Sequence, residues 1–312
     1  MGLHRVTDLP GWFTEALADR PVVTHLDGSE VRTACRTWGA AGDPLVVLVH
    51  GGAAHAGWWD HVAPFLAAHR RVVALDLAGH GDSGWVRDYS LALWTRQVVE
   101  VVRHASPDAP AVLVGHSLGG AVAMLAAHDL GPAVAGLLMV DTEIPVDRAD
   151  FTRPEWVAPT TRRVVPDRAA LVARFRTLPS DDGHLPYVTR HVAEGSVTAV
   201  DGGWSWKFDP RFFGHDRLGL DDVRPLAHAD LTVVRGGHGL VDDDLARRTA
   251  AALGRPHDPV TVPGSGHHVP LDQPVALTAL VALAARTWSP ATTPPTTRPT
   301  TTGTARVPEG AR

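Results

Sequence analysis

The chain has 312 residues, 44% of them hydrophobic, and a formal net charge of −5 at pH 7. That suits one large α/β domain with an insertion or two small domains, and the acidic balance without a dense basic run argues against nucleic acid or an anionic membrane surface as a partner. Cys35 is the sole cysteine, which rules out an intrachain disulfide and a two-cysteine metal site; with no apolar run of signal-peptide or membrane-span length, the default expectation is a cytoplasmic protein.

In chain order, residues 11–18 read as a short amphipathic helix. Residues 22–26 and 30–38 flank Asp27-Gly28-Ser29, a hairpin turn. Residues 44–50 form a continuous apolar run, the mark of a central strand, ending in the small-residue loop Gly51-Gly52-Ala53-Ala54-His55. A helix is expected over 58–68, a buried strand over 71–77 and a turn-rich loop over 78–84. Over 91–105, Trp94, Val98, Val101, Val102 and Ala105 share one helical stripe.

Residues 111–114 are again apolar and run into Gly115-His116-Ser117-Leu118-Gly119-Gly120, then into the helix-forming stretch 121–128. This strand–turn–helix is the setting a G-x-S-x-G nucleophile elbow requires. Another buried strand follows at 134–141. Alternating strands and helices predict a parallel sheet with right-handed crossovers, covered on both faces. Ligands of such sheets bind at the carboxyl ends of the strands, where Ser117, the loop after His50 and Asp141 all fall.

The rhythm breaks over 142–228, where Pro, Asp and Arg are frequent, helical pieces occur near 167–178 and 185–194, and Trp204, Trp206, Phe208, Phe212 and Phe213 cluster. This segment reads as a mainly helical cap inserted into the sheet. Core residues 1–141 and 229–288 then complete the fold with strands at 230–237 and 259–263 and helices at 243–253 and 273–288. Residues 289–312, rich in Pro and Thr, are expected to be disordered.

Four segments together resemble the α/β-hydrolase superfamily, in its cap-bearing, esterase-like branch. They are His50-Gly51-Gly52, the loop from Asp76 to Ser83, Gly115-His116-Ser117-Leu118-Gly119, and Gly264-Ser265-Gly266-His267. The likeness covers residues 11–288 and implies a mostly parallel eight-stranded sheet. It implies Ser117 as nucleophile, His267 as general base, and an oxyanion hole from the N–H groups of Leu118 and Gly52. The family's usual acid position falls on Gly239, which has no carboxylate. Asp141 is the leading replacement, with Glu143 and Asp242 as alternatives.

Ala53, His55, Trp58, Trp206 and Lys207 are candidate pocket residues. The chemistry needs no cofactor, and none of the 18 histidines shows ligand spacing such as H-E-x-x-H. The expectation is a cofactor-independent serine hydrolase of small carboxylic esters or lactones. Two other readings stand beside it: carbon–carbon hydrolase or lyase chemistry with Lys207, Arg174 or Arg190 anchoring a carboxylate, and a low-turnover binding protein prompted by the bare Gly239 position. The partner is a small-molecule substrate, with the oligomeric state left open.

Overall fold

A computed structural model of the chain describes residues 9–147, 161–181 and 183–288. The eight expected strands form one sheet: β1 (Val22–Asp27), β2 (Arg32–Trp38), β3 (Leu45–Val49), β4 (Arg71–Leu75), β5 (Ala111–His116), β6 (Val134–Val140), β9 (Asp230–Gly236) and β10 (Val260–Val262). The intervening β7 (Val197–Val200) and β8 (Gly203–Trp206) pair separately as a hairpin. The sheet order is β1-β2-β4-β3-β5-β6-β9-β10. Only the β1–β2 and β2–β4 pairs are antiparallel; every other neighbouring pair is parallel.

The continuous apolar runs are the strands buried on both faces. All five residues of β3 and all six of β5 are buried, because helices cover each side of the sheet. One side packs the helices Leu91–Ala105 and Leu118–Leu130 around Trp94, Val98 and Val122. The other packs the closing helix Pro274–Trp288 through Leu277 and Val281, with Trp59 and Leu66. Cys35 lies buried in β2, where desolvation pushes its thiol up to about 12.

The expected helix over 58–68 is broken. A 3₁₀ turn, Ala56–Trp59, precedes a four-residue helix, Ala63–Leu66. Pro64 cannot donate a backbone hydrogen bond back into the preceding turn, so the helix restarts there. The piece expected over 167–178 is also shorter, Arg168–Val172. Beyond it the chain turns through three-residue bonds, Arg174 N–H to Leu171 O and Phe175 N–H to Val172 O.

Between β6 and β9 the described residues hold the helix Pro186–Gly195, short helical turns and the β7–β8 hairpin. This segment is tied to the core by a bridge between His80 and Phe208 and by Asp209 N–H donating to Gly79 O. The tail at 289–312 lies outside the described residues.

Several histidines are buried in the neutral form. His50 donates from Nδ1 to Gly51 O, accepts the Leu77 N–H at Nε2, and is pushed down to about 4 chiefly by burial. His61 donates to Pro270 O and is pushed down to about 4 for the same reason. An imidazole whose folded value lies below its unfolded one contributes stability above about pH 6.5 that is lost as pH falls toward the folded value. Asp76, pushed up to about 6 by burial, acts in the opposite sense. The histidines outnumber it, so urea melts at pH 5.0 should give an unfolding free energy a few kcal/mol below that at pH 6.5, at about 1–2 kcal/mol per imidazole. Equal stability at the two pH values would contradict their burial as neutral rings.

Candidate active site

Ser117 stands between the last residue of β5 and the helix Leu118–Leu130, at φ 55° and ψ −125°. The flanking glycines are required by close backbone approach. A Cβ on Gly115 would lie 2.2 Å from Gly119 O, and one on Gly119 would lie 2.4 Å from His50 O. The turn can be this sharp only where neither residue carries a side chain.

Three described non-glycine residues have positive φ: Ala53, Ser117 and Asp141. All three are at carboxyl ends of adjacent strands β3, β5 and β6. Strain of about 1–3 kcal/mol each is held in one place by the surrounding sheet.

His267 lies in the loop after β10. Its Nε2 is 3.0 Å from Ser117 Oγ, and its Nδ1 is 2.7 Å from Asp141 Oδ2. A carboxylate only accepts, so Nδ1 carries the proton and Nε2 presents its lone pair to the serine hydroxyl. Asp141 is fully buried and accepts two further bonds, from Gly236 N–H at 3.0 Å and Leu240 N–H at 2.9 Å. These fix the carboxylate in orientation.

The bare Gly239 position has a direct spatial counterpart. A Cβ there would sit 2.1 Å from Asp141 Oδ1 and 2.6 Å from Asp141 Cγ. The carboxylate from β6 fills the space that a side chain at 239 would need. Of the alternatives, Asp242 caps the helix Asp243–Ala252 through Leu245 N–H at 2.8 Å. Glu143 is exposed, with its carboxyl pushed up mainly by desolvation, and makes no hydrogen bond to His267 among the described residues.

Leu118 is the first residue of its helix, where the N–H has no intrahelical acceptor. The Gly51-Gly52 loop runs alongside it. A Cβ on Gly51 would meet Ser117 Cβ at 3.1 Å, and one on Gly52 would meet the Phe212 ring at 3.1 Å and Leu118 Cδ2 at 3.8 Å. Phe212, from the inserted segment, thus roofs the loop.

Of the other pocket candidates, Ala53 is half-buried in the turn after β3. His55 is committed to structure: Nδ1 accepts Gly57 N–H and Nε2 faces Ser196 Oγ at 3.1 Å. Trp58 is buried, its ring near His116 and His268. Trp206 is half-buried beside Phe175. Lys207 is bound to both oxygens of Asp82, at 2.7 and 2.9 Å, and Arg190 pairs with Glu194. Both cations are thereby engaged by carboxylates.

A second buried carboxylate escaped the sequence reading. Asp272 accepts Gly266 N–H at 2.8 Å, Ser265 Oγ–H at 3.1 Å and His184 Nδ1–H at 2.5 Å. It holds the His267 loop from behind and ties it to the inserted segment. Its signal was an acidic residue five positions after His267, closing the short helix Val269–Asp272. Two more imidazoles abut His267. His116 donates from Nε2 to His267 O at 2.9 Å and is pushed down to about 3, mainly by burial. His268 is pushed far down for the same reason.

Residues 46–280 match the model of the alpha/beta hydrolase family. The chain is 36% identical over 264 residues to the esterase Rv0045c of Mycobacterium tuberculosis, spanning 78% of this chain and 83% of that protein. A crystal structure of that esterase superposes with a TM-score of 0.62 at 26% identity, covering 89% of this chain and 98% of the other. The thioesterase domain from the curacin biosynthetic pathway superposes with a TM-score of 0.70 at 23% identity, covering 84% and 99%, a likeness of fold. Among the described residues, no helix is long and apolar enough to cross a membrane.

Proposed function

The chain belongs to the alpha/beta hydrolase family and is a carboxylic ester hydrolase, and from that premise we propose that it is a cofactor-independent serine hydrolase of small carboxylic esters or lactones acting through an acyl-enzyme. The observation that carries this reading is the continuous relay from Ser117 through His267 to Asp141. Ser117 Oγ attacks the substrate carbonyl while His267 Nε2 takes the hydroxyl proton. Asp141 holds the ring in the right tautomer and stabilises the imidazolium that forms. The Leu118 and Gly52 N–H groups receive the oxyanion.

As the tetrahedral intermediate collapses, His267 returns the proton to the departing alkoxide. The acyl group stays on Ser117. A water, deprotonated by the same imidazole, then attacks the acyl carbon; the bond from that carbon to Ser117 Oγ breaks, His267 returns the proton to Oγ, and the acid leaves. The binding-protein reading was prompted by the bare position 239, and Asp141 supplies the carboxylate there. The carbon–carbon reading called for a cationic or polar anchor for a carboxylate; Lys207 and Arg190 are engaged by Asp82 and Glu194, which leaves the exposed Arg174 as its cationic candidate.

Steady-state assays on p-nitrophenyl esters of increasing chain length and on a small lactone test the reading. Turnover of at least one, unaffected by a chelator, is the expected result. Rates equal to those of a Ser117→Ala sample on every substrate would refute it. Gly239→Ala is a sharper probe of the acid's placement. The added methyl must displace the Asp141 carboxylate, so kcat should fall about 100-fold, the cost of a displacement of roughly 1 Å in a catalytic array. An unchanged kcat would show that the relay tolerates the intrusion and that Asp141 is not its acid.

A further inference from the structure

Away from the candidate active site, a cavity of about 370 Å³ opens between the helices Leu91–Ala105 and Leu118–Leu130 and the chain at 216–224. His128, in its wall, lies on the helix that Ser117 begins, about 16 Å further along the axis at the α-helical rise. A space of this size is that of a small-molecule site.

Two buried polar atoms of residues lining it, Thr95 Oγ1 and His128 Nε2, have no hydrogen-bond partner among the described residues. Thr95 is the exception among the described helical threonines. Thr14, Thr189, Thr249, Thr278 and Thr287 each donate their hydroxyl to a carbonyl three or four residues earlier, the bond a helix ordinarily offers. Buried polar atoms are as a rule paired, so these two call for an occupant.

The chemistry of the walls narrows what that occupant is. The His128 ring is held below its ordinary pKa chiefly by burial, and a neutral ring can present a lone pair at Nε2. Thr95 offers an O–H. A hydroxyl answers both at once, donating to the ring nitrogen and accepting from the threonine. Met124, Leu125 and Leu218 supply an apolar wall for a hydrocarbon chain. The rim sets Asp129, Asp216 and Asp222 against Arg96 and Arg224, and Arg96 is itself engaged by Glu30 at 2.5 Å. That excess of carboxylates disfavours an anion.

We infer that this cavity is a second ligand site, taking a neutral aliphatic alcohol whose hydroxyl bonds Thr95 and His128 and whose chain lies on Met124 and Leu125. Ester hydrolysis releases alcohols of this class, but the site does not rest on the Ser117 chemistry.

The chain's three methionines are Met1, Met124 and Met139, so methyl-labelled methionine gives the cavity its own NMR reporter. Met124 lines it, and Met139 is buried in β6. Titrating the full chain with n-hexanol should move the Met124 methyl resonance saturably and leave that of Met139 in place. Thr95→Val and His128→Leu should each raise the half-saturating concentration at least about threefold, the worth of one hydrogen bond. Thr95→Ser, which keeps the hydroxyl, should bind as the wild type does. Sodium hexanoate over the same range should leave Met124 unmoved. An unmoved Met124 resonance with n-hexanol would give the cavity to water alone and overturn the site. Wild-type affinity in either Thr95→Val or His128→Leu would overturn it too. Hexanoate binding as strong as the alcohol's would overturn the assignment to a neutral hydroxyl, and this comparison, made on the wild type, decides the matter even if a variant fails to fold.

Discussion

Ser117→Ala should lose about 10⁴–10⁶-fold in kcat on any ester the wild type hydrolyses, with little change in thermal stability. The size of the loss follows from the relay. Removing Oγ leaves His267 with a lone pair and no nucleophile to activate, while the oxyanion donors persist and set the residual rate. Stability should hold because the unusual φ of 55° belongs to the backbone, which the bond from Ser117 N–H to Val140 O at 3.0 Å and the close glycine contacts maintain. KM measured beside kcat distinguishes this from lost binding, since the hydroxyl acts in the transition state and adds little to ground-state affinity. A variant retaining a tenth of wild-type kcat would place the nucleophile elsewhere.

Asp141→Asn should cost about 10⁴-fold in kcat. Asparagine keeps an oxygen for the Gly236 or Leu240 N–H, so the fold survives. Its amide group, turned toward His267, favours the tautomer with the proton on Nε2, which cannot accept from Ser117. The geometry at Gly239 permits a rescue. A Cβ at that position would lie 2.6 Å from Asp141 Oδ2. An aspartate oxygen lies about 2.4 Å from its own Cβ, from ordinary bond lengths. In Asp141→Gly/Gly239→Asp the new carboxylate can therefore reach His267 Nδ1 from β9 instead of β6. Recovery of at least about tenfold in kcat over Asp141→Gly alone is the expected outcome. A double variant no better than the single would mean that the backbone N–H bonds to Asp141, and not the carboxylate position, carry its role.

The central strands were legible because burial on two faces leaves no room for polar interruption, as in Leu45–Val49, whereas the exposed β1 was legible from the Asp27-Gly28-Ser29 turn at its end. The β7–β8 hairpin was missed although Asp201-Gly202 between two short β-prone segments is a strong turn signal; the tryptophans drew attention as a cluster instead. Pro64 likewise marked a break within 58–68 that the apolar pattern concealed. At the site, Ser117 and His267 stood in motifs whose spacing is local. The choice among Asp141, Glu143 and Asp242 was not local. It depends on β6 and β9 being parallel neighbours, which brings the end of one strand against the loop of the other. The contact of His116 with His267 was hidden for the same reason, since the two lie 151 residues apart, whereas Asp272, near His267 in sequence, had no motif to mark it.

The central claim is that Ser117, activated by His267, forms a covalent bond to the substrate's acyl carbon. A fluorophosphonate tests it most directly, because it reacts with an activated serine and does not hydrolyse afterwards. The account predicts one phosphonyl group per chain by intact mass, mapped to the peptide containing Ser117, with esterase activity lost in proportion to labelling and no label on Ser117→Ala. Full esterase activity after stoichiometric labelling, or a label on any other residue accompanying the loss, would contradict it.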